Sequence, residues 1–191
     1  MSVIDPSVAP TVILLASGRG ERFVASGGTG SKLKAMLVNK PVLEHTLESV
    51  RATGLPWHLE DGGHAGMGDS IGAGVRATQN SKSGWLILPA DLPLIQPATL
   101  LKVAQALVDG AAAAQAVYQG QRGHPVGFGA SSGAALAALS GAQGAAQVLR
   151  ALREAGSVTD VPVEDAGILT DIDTLSDLAR AQALLLNQLS S

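Results

Sequence analysis

The chain has 191 residues, 46% of them hydrophobic and 15% charged, which predicts one globular unit over residues 1–191 and excludes a polar disordered chain. A net charge of −3 with 3% aromatic residues excludes broad nucleic-acid binding, which draws on many basic phosphate contacts and on base-stacking rings. No cysteine is present, so disulfides, thiolate catalysis and Cys-ligated metal sites are excluded as well.

Residues 1–10 lack the basic-then-apolar order of a signal peptide and read as a flexible N-terminal extension. Val12-Ile13-Leu14-Leu15 is a short continuous apolar run that stops in Ser17-Gly18-Arg19-Gly20, the pattern of a buried strand. Residues 26–31 are too glycine-rich for regular structure and form either a mobile loop or a backbone cradle. A helix is predicted over 41–52, with Pro41 at its start and Gly54 past its end. One short strand fits at 57–60, then a helix over 68–78. Trp85-Leu86-Ile87-Leu88 is a second buried strand, ending in Pro89-Ala90-Asp91, and a helix over 97–108 repeats the proline-in, glycine-out grammar. Strands over 112–118 and 125–128 flank a turn at 120–123. Helices over 133–139 and 145–154, a strand near 158–163 and a last helix over 175–189 complete the chain. Thr174 or Ser176 caps that helix, with Asp177 in its first turn. Alternating strands and helices predict a three-layer α/β fold on a mainly parallel sheet with at least one antiparallel strand. The longest apolar runs are too short to cross a bilayer, so a soluble, cytoplasmic protein is expected, without membrane or nucleic-acid partners.

Ligands of open α/β sheets bind beyond the carboxyl ends of the strands. The first strand delivers Ser17-Gly18-Arg19-Gly20-Glu21-Arg22-Phe23 to that edge, where small residues let backbone N–H groups approach an anion and Arg19 and Arg22 add charge. The alternative is an ordinary glycine turn. The dinucleotide fingerprint fails at Phe23, and the phosphate-loop pattern fails around Lys32. Lys32 is either a closing charge over a polyphosphate or a solvated surface lysine. Asp91, in Leu88-Pro89-Ala90-Asp91-Leu92-Pro93, follows a buried strand between two stiffening prolines, a position suited to holding Mg²⁺ with a nucleotide; otherwise it is a turn aspartate. Asp171 and Asp173 share a face of an extended segment and either join that metal or serve the last helix. His58 and His64 have no third ligand near them in sequence. His124 is either on the same edge or an exposed turn histidine. No G-x-S-x-G elbow supports a serine hydrolase.

Together these stretches resemble the MobA-like nucleotidyltransferase family, especially the molybdenum cofactor cytidylyltransferases. The matches run in the family's order: Leu15-Ala16-Ser17-Gly18-Arg19-Gly20-Glu21-Arg22-Phe23, Lys32-Leu33, Gly66-Met67-Gly68-Asp69-Ser70-Ile71, Leu88-Pro89-Ala90-Asp91-Leu92-Pro93, Gly123-His124-Pro125-Val126 and Asp171-Ile172-Asp173-Thr174. The resemblance implies a Rossmann-like nucleotidyltransferase fold and transfer of a nucleoside monophosphate from an NTP to a phosphorylated acceptor, releasing pyrophosphate. It implies that Ala16, Ser17, Gly18, Arg19, Gly20 and Ser70 bind the nucleotide and that Arg22, Lys32 and Asp91 are catalytic. By the same resemblance Asp91, Asp173 and Asp171 hold Mg²⁺ and His124 meets the acceptor. The Gly-His-Pro and Asp-Ile-Asp-Thr stretches favour CTP, with molybdopterin as acceptor and a molybdoenzyme or its maturation factor as partner. The alternatives are a guanylyltransferase, a sugar- or polyol-phosphate nucleotidyltransferase, or a non-catalytic molybdenum cofactor binding protein. The sequence departs from the family at Ser17, in the longer loop at 24–31, and at 55–65, where a strand and helix usual in the family are missing.

Overall fold

The computed structural model describes residues 4–18 and 20–189. Its strands are β1 (Thr11–Leu15), β2 (Met36–Leu37), β3 (Lys40–Pro41), β4 (Trp57–Glu60), β5 (Trp85–Pro89), β6 (Ala113–Tyr118), β7 (Gln121–Phe128) and β8 (Val158–Pro162). Its helices are α1 (Glu21–Ala25), α2 (Val42–Ala52), α3 (Met67–Ala77), α4 (Pro97–Val108), α5 (Gly133–Ala137), α6 (Ala146–Glu154) and α7 (Leu175–Leu189).

The two apolar runs are neighbours at the centre of a six-stranded sheet of order β4-β1-β5-β7-β6-β8. β1 pairs in parallel with β4 and β5, β6 pairs in parallel with β8, and β7 is antiparallel to both of its neighbours. Both faces of the central strands are covered, which is why their sequences are continuously apolar and not alternating. Val12, Leu14, Leu86 and Leu88 point to one side, with α2, α4 and α7; Ile13, Trp85 and Ile87 point to the other, with α3, α5 and α6. This is the three-layer Rossmann-like arrangement the sequence predicts. On the second side α3 lies close on β1, because a Cβ at Gly74 would come within 2.7 Å of Ile13.

Local chemistry fixes the element ends. Asp165, buried, caps α4 from a distance: its Oδ2 accepts from Gln96 N at 2.9 Å and from Thr99 Oγ1 at 2.7 Å. At α7, Thr174 Oγ1 accepts from Asp177 N at 3.2 Å while Asp177 Oδ2 accepts from Thr174 N at 2.9 Å, a reciprocal cap. The turn expected at 120–123 is shorter than the sequence implies. Gln119 and Gly120, at φ 48° and 80°, make a two-residue hairpin, and Arg122, Gly123 and His124 belong to β7. At the N-terminus Ala9 and Pro10 are buried, and Ile4 packs against the core.

Candidate active site

A cleft of about 590 Å³ opens beyond the carboxyl ends of β1 and β5, lined by residues from the β1 loop, the β4–α3 loop, β7 and the segment before α7. Its floor is pinned by backbone bonds. Ala90 N donates to Leu15 O at 3.0 Å, Thr46 Oγ1 donates to Ala90 O at 3.0 Å, and Ile172 N donates to Asp91 O at 3.0 Å. With Leu92 and Pro93 also buried, the Asp91 backbone has little freedom. Rigid placement of a carboxylate at a strand end favours binding, because little ordering entropy remains to be lost.

Lys32 sits in a short 3₁₀ turn (Lys32–Lys34) and is buried, which removes the solvated-lysine alternative. Its ammonium lies 2.6 Å from Asp91 Oδ2 and 2.6 Å from Asp173 Oδ1. The exposed Arg22 donates to the other Asp173 oxygen at 2.8 Å. Two carboxylates and two cations from four separate stretches of sequence therefore meet at one end of the cleft. Burial draws the Lys32 pKa down, but the charges and hydrogen bonds of Asp91 and Asp173 outweigh it and raise it above the ordinary lysine value. The Lys32 hydrogen bond leads the forces that hold the Asp173 carboxyl below its ordinary value, against burial and aided by Arg22. Both Asp173 oxygens therefore face cations, and the cap of α7 is made by Thr174 and Asp177. Asp171 is exposed and lines the same cleft.

The glycine segment before Lys32 has no regular secondary structure, but it is packed: a Cβ at Gly28 would come within 2.3 Å of the Phe23 ring. Gly18 lines the cleft, Gly20 is left-handed at φ 65° before α1, and Arg19 lies outside the described residues. Ala16 N donates to Glu60 O at 2.9 Å and Ser17 Oγ donates to the same carbonyl at 3.1 Å, so this loop is tied to the end of β4. Ser70 is buried, donating to Gly66 O at 3.2 Å.

The sequence reading missed the contribution of the loop after β4, whose His64, Ala65 and Gly66 line the cleft. Residues 58 and 60 share a strand face, and Glu60, between the two histidines in sequence, meets both as a hydrogen-bond partner, while among the described residues they form no metal-holding group. Glu60 Oε2 lies 3.3 Å from His58 Nε2, and Oε1 lies 3.1 Å from His64 Nε2 and accepts from Gly62 N at 3.0 Å. Burial raises the Glu60 pKa, but those hydrogen bonds together take it below the ordinary value. His64 also lines the cleft. Arg122 lines it too, paired with Asp160 at 2.7 Å. His124 is not an exposed turn residue. It lies on β7 with its Nδ1 buried and without a hydrogen-bond partner, and Asp91 Oδ1 is in the same condition.

The sequence profile of the MobA-like NTP transferase domain matches residues 49–156, more than half of the chain. The chain belongs to that family. The match includes Ser70, Asp91 and His124, while the β1 loop, Lys32 and the Asp171–Asp173 segment lie outside it. No curated protein matches the sequence. Among solved structures, a nucleotidyl transferase from Methanothermobacter (Mth528) is similar over 94% of this chain and 99% of its own, at 21% identity and a TM-score of 0.73. Rv0371c of Mycobacterium tuberculosis, in a complex with manganese, covers 92% and 98% at 21% identity and a TM-score of 0.67. The molybdopterin-guanine dinucleotide biosynthesis protein A of Archaeoglobus fulgidus covers 93% and 99% at 18% identity and a TM-score of 0.60. At these identities the likeness is one of fold. Among the described residues no helix is long and apolar enough to cross a membrane.

Proposed function

We propose that this nucleotidyltransferase moves a nucleoside monophosphate, CMP in the favoured case, from an NTP to a phosphorylated acceptor such as molybdopterin, with a divalent ion as cofactor. The observation that carries the reading is Lys32 held between Asp91 and Asp173, with Arg22 beside them, at the carboxyl ends of β1 and β5. Anions and cations in alternation at that edge are what an NTP with its metal requires. Arg22 and Lys32 would neutralise the triphosphate, while Ala16 to Gly20 and Ser70 would line its path. Asp91 would hold the ion, with Asp171 or Asp173 as the further carboxylate. The donor set fits: Mg²⁺ commonly takes one or two carboxylates and completes its shell with phosphate and water, and Asp91 keeps one oxygen without a partner. Bound there, a divalent ion supplies positive charge to the phosphates as charge builds on the departing pyrophosphate.

An acceptor phosphate has a second pKa near ~6, so it is largely dianionic at pH 7 and needs no general base. Its oxygen forms a bond to the α-phosphorus as the bond from that phosphorus to the β-bridging oxygen breaks. The electron pair leaves with pyrophosphate. Cations positioned on the leaving side lower the barrier because they meet charge that grows in the transition state.

The test is pyrophosphate release from each NTP with Mg²⁺ or Mn²⁺, with and without phosphorylated acceptors. CTP with an acceptor is expected to give the highest rate. No release from any NTP by folded protein would overturn catalysis. Nucleotide or cofactor binding without release would favour a non-catalytic molybdenum cofactor binding protein, a reading that the short 55–65 region supports because β4 forms the sheet edge there.

A further inference from the structure

The β4 end of the cleft carries a polar cluster that the transfer chemistry leaves without a role. Glu60, the last residue of β4, is a buried carboxylate at the sheet edge. Its Oε1 accepts from Gly62 N at 3.0 Å and lies 3.1 Å from His64 Nε2, while its Oε2 lies 3.3 Å from His58 Nε2. The turn that brings His64 back to Glu60 has no room for a side chain. A Cβ at Gly62 would come within 2.8 Å of His64 Nε2 and 2.9 Å of Glu60 Oε1. His64 is held in this way, yet its side chain stays 29% exposed and lines the cleft beside Ala65, Gly66 and Met67. Glu60 O also accepts from Ala16 N and Ser17 Oγ, so the cluster and the β1 loop share one support.

The hydrogen bonds decide which nitrogen of His64 carries the proton. Gly62 N can only donate, so Oε1 is an acceptor, and His64 Nε2 meets it as a donor. Burial opposes ionisation of Glu60, but its hydrogen bonds keep the carboxyl below the ordinary value, in keeping with an acceptor. A neutral ring with its proton on Nε2 has a lone pair on Nδ1. Among the described residues that nitrogen has no partner. It can accept from an amino group, and it repels a carbonyl oxygen.

Charge separates the two ends of the cleft. At the β7 end Arg122 lines it, and Arg122 and Arg153 share one carboxylate, Asp160, at 2.7 and 3.3 Å, which leaves positive charge in excess. A phosphorylated acceptor suits that end. Lys32, Arg22, Asp91 and Asp173 serve the triphosphate and its ion. The lining from His64 to Ser70 holds no lysine or arginine and is built of small or neutral side chains, which suits a nucleobase.

We propose that His64 Nδ1, its tautomer set by Glu60, accepts from the exocyclic amino group of cytosine and so selects CTP over UTP. Glu60 is the positioning residue. The inference rests on the nucleotidyltransferase reading above and names what chooses the base there.

CTP and UTP have the same shape and differ at this edge, an amino group in one and a carbonyl in the other. Equilibrium binding of each to the whole protein with Mg²⁺ isolates the contact and needs no turnover. Wild type is expected to bind CTP at least about 10-fold more tightly than UTP. His64→Phe is expected to bring the two within about 3-fold. Glu60→Ala should do the same, because the ring loses its anchor. Glu60→Gln should keep most of the preference, since Gly62 N orients the amide with its oxygen in the place of Oε1. A merely structural role would weaken both nucleotides together. Should His64→Phe fail to fold, nitrogen NMR of ¹⁵N-histidine wild type reads the tautomer directly. An unprotonated His64 Nδ1 that shifts with CTP and not with UTP supports the proposal, and a proton on Nδ1 overturns it. Three binding results also overturn it: no preference for CTP in wild type, no binding of either nucleotide, or a preference that survives in folded His64→Phe. Loss of the preference in Glu60→Gln as complete as in Glu60→Ala overturns the positioning role. Pyrophosphate release is measured separately. A CTP preference carried by His64 without release from any NTP counts against the transferase reading alone, and equal release from CTP and UTP counts against the proposal alone.

Discussion

The two oxygens of Asp91 behave differently. Oδ2 belongs to a closed network in which Lys32 reaches Asp91 and Asp173 at 2.6 Å each and Arg22 takes the remaining oxygen of Asp173 at 2.8 Å. Oδ1, like His124 Nδ1, has no partner within the described chain. A closed network acts first on stability, because its charges already have their opposites. An open pair acts first on ligand binding, because leaving polar atoms unpaired costs free energy until a ligand relieves it. Substitution of Asp91 removes both effects at once, whereas substitutions at its partners separate them.

Asp91→Asn carries the largest expected effect. Turnover is expected to drop on the order of 10²–10³-fold, the range for losing one preorganised charge contact in a transition state, as measured by metal-dependent pyrophosphate release. Turnover within about 10-fold of wild type would show that the carboxylate charge is not used. Lys32→Met attacks the closed side alone. Removing one partner of a buried ion pair costs about 3–5 kcal/mol, and the low end applies because Asp173 is 29% exposed. Urea denaturation reads that loss, and an unchanged midpoint would make the network stabilising in geometry only. Arg22→Ala is next. Its side chain is 81% exposed, so little stability is at stake, but NTP binding is expected to weaken by roughly 1.5–3 kcal/mol for a lost charged hydrogen bond. CTP and GTP should lose equally. A loss confined to one base would move Arg22 to base recognition.

Comparison of the two sides also shows what sequence can carry. The central strands were legible because continuous apolar runs bounded by glycine and proline mean burial on both faces, and β1, β5 and the helix at 97–108 follow. The place of Asp91 was legible for the same reason: it follows a buried strand and so lies at the strand-end cleft. Lys32 was legible as a residue but not as a partner of Asp91 and Asp173, since the pairing spans 141 residues between Lys32 and Asp173. The hairpin at Gln119 was misjudged because a non-glycine residue takes a left-handed φ there. That shift of register carried His124 from a turn into β7 and so out of solvent. Glu60 was overlooked as a partner because its role depends on His64, four residues on and across a glycine loop.

Acid and alkali separate the sides further. Asp173 has its pKa lowered, chiefly by the Lys32 hydrogen bond. Its contribution to stability is therefore full above about pH 3.9, the unfolded value, and is lost as pH falls through the lower folded one. Lys32 is raised, because its two carboxylates outweigh burial. Its contribution is full below about pH 10.4 and is lost as pH rises through the folded value. His124 is lowered by burial, so the native state keeps its advantage above about pH 6.5 and loses it as pH falls toward the folded value. In urea denaturation from acid to alkaline pH, the difference between wild type and Lys32→Met is expected to shrink at both extremes and stay flat between them. The difference between wild type and His124→Asn should change only below about pH 6.5. A flat response for His124→Asn across that value would mean the ring titrates alike in both states.

The smallest expected effect concerns the segment that joins the network to α7. Asp173 and Thr174 are adjacent, yet they answer to different chemistry: Asp173 faces Lys32 and Arg22, while Thr174 trades hydrogen bonds with Asp177. Thr174→Ala removes the hydroxyl that accepts from Asp177 N and should cost about 0.5–2 kcal/mol of stability, the range for a lost helix cap. Turnover per folded molecule is expected to stay intact. Asp173→Asn keeps the shape and a capping-competent side chain but removes the charge that Lys32 and Arg22 share. It should therefore disturb nucleotide and metal affinity more than Thr174→Ala does. Thermal melts and pyrophosphate release on both variants decide the matter. If Thr174→Ala lowered turnover as much as Asp173→Asn, the cap would be holding the carboxylate in place and the two functions would not be separable. If neither changed turnover, Asp173 would serve the fold, and Asp91 would face the phosphates with Asp171 and His124.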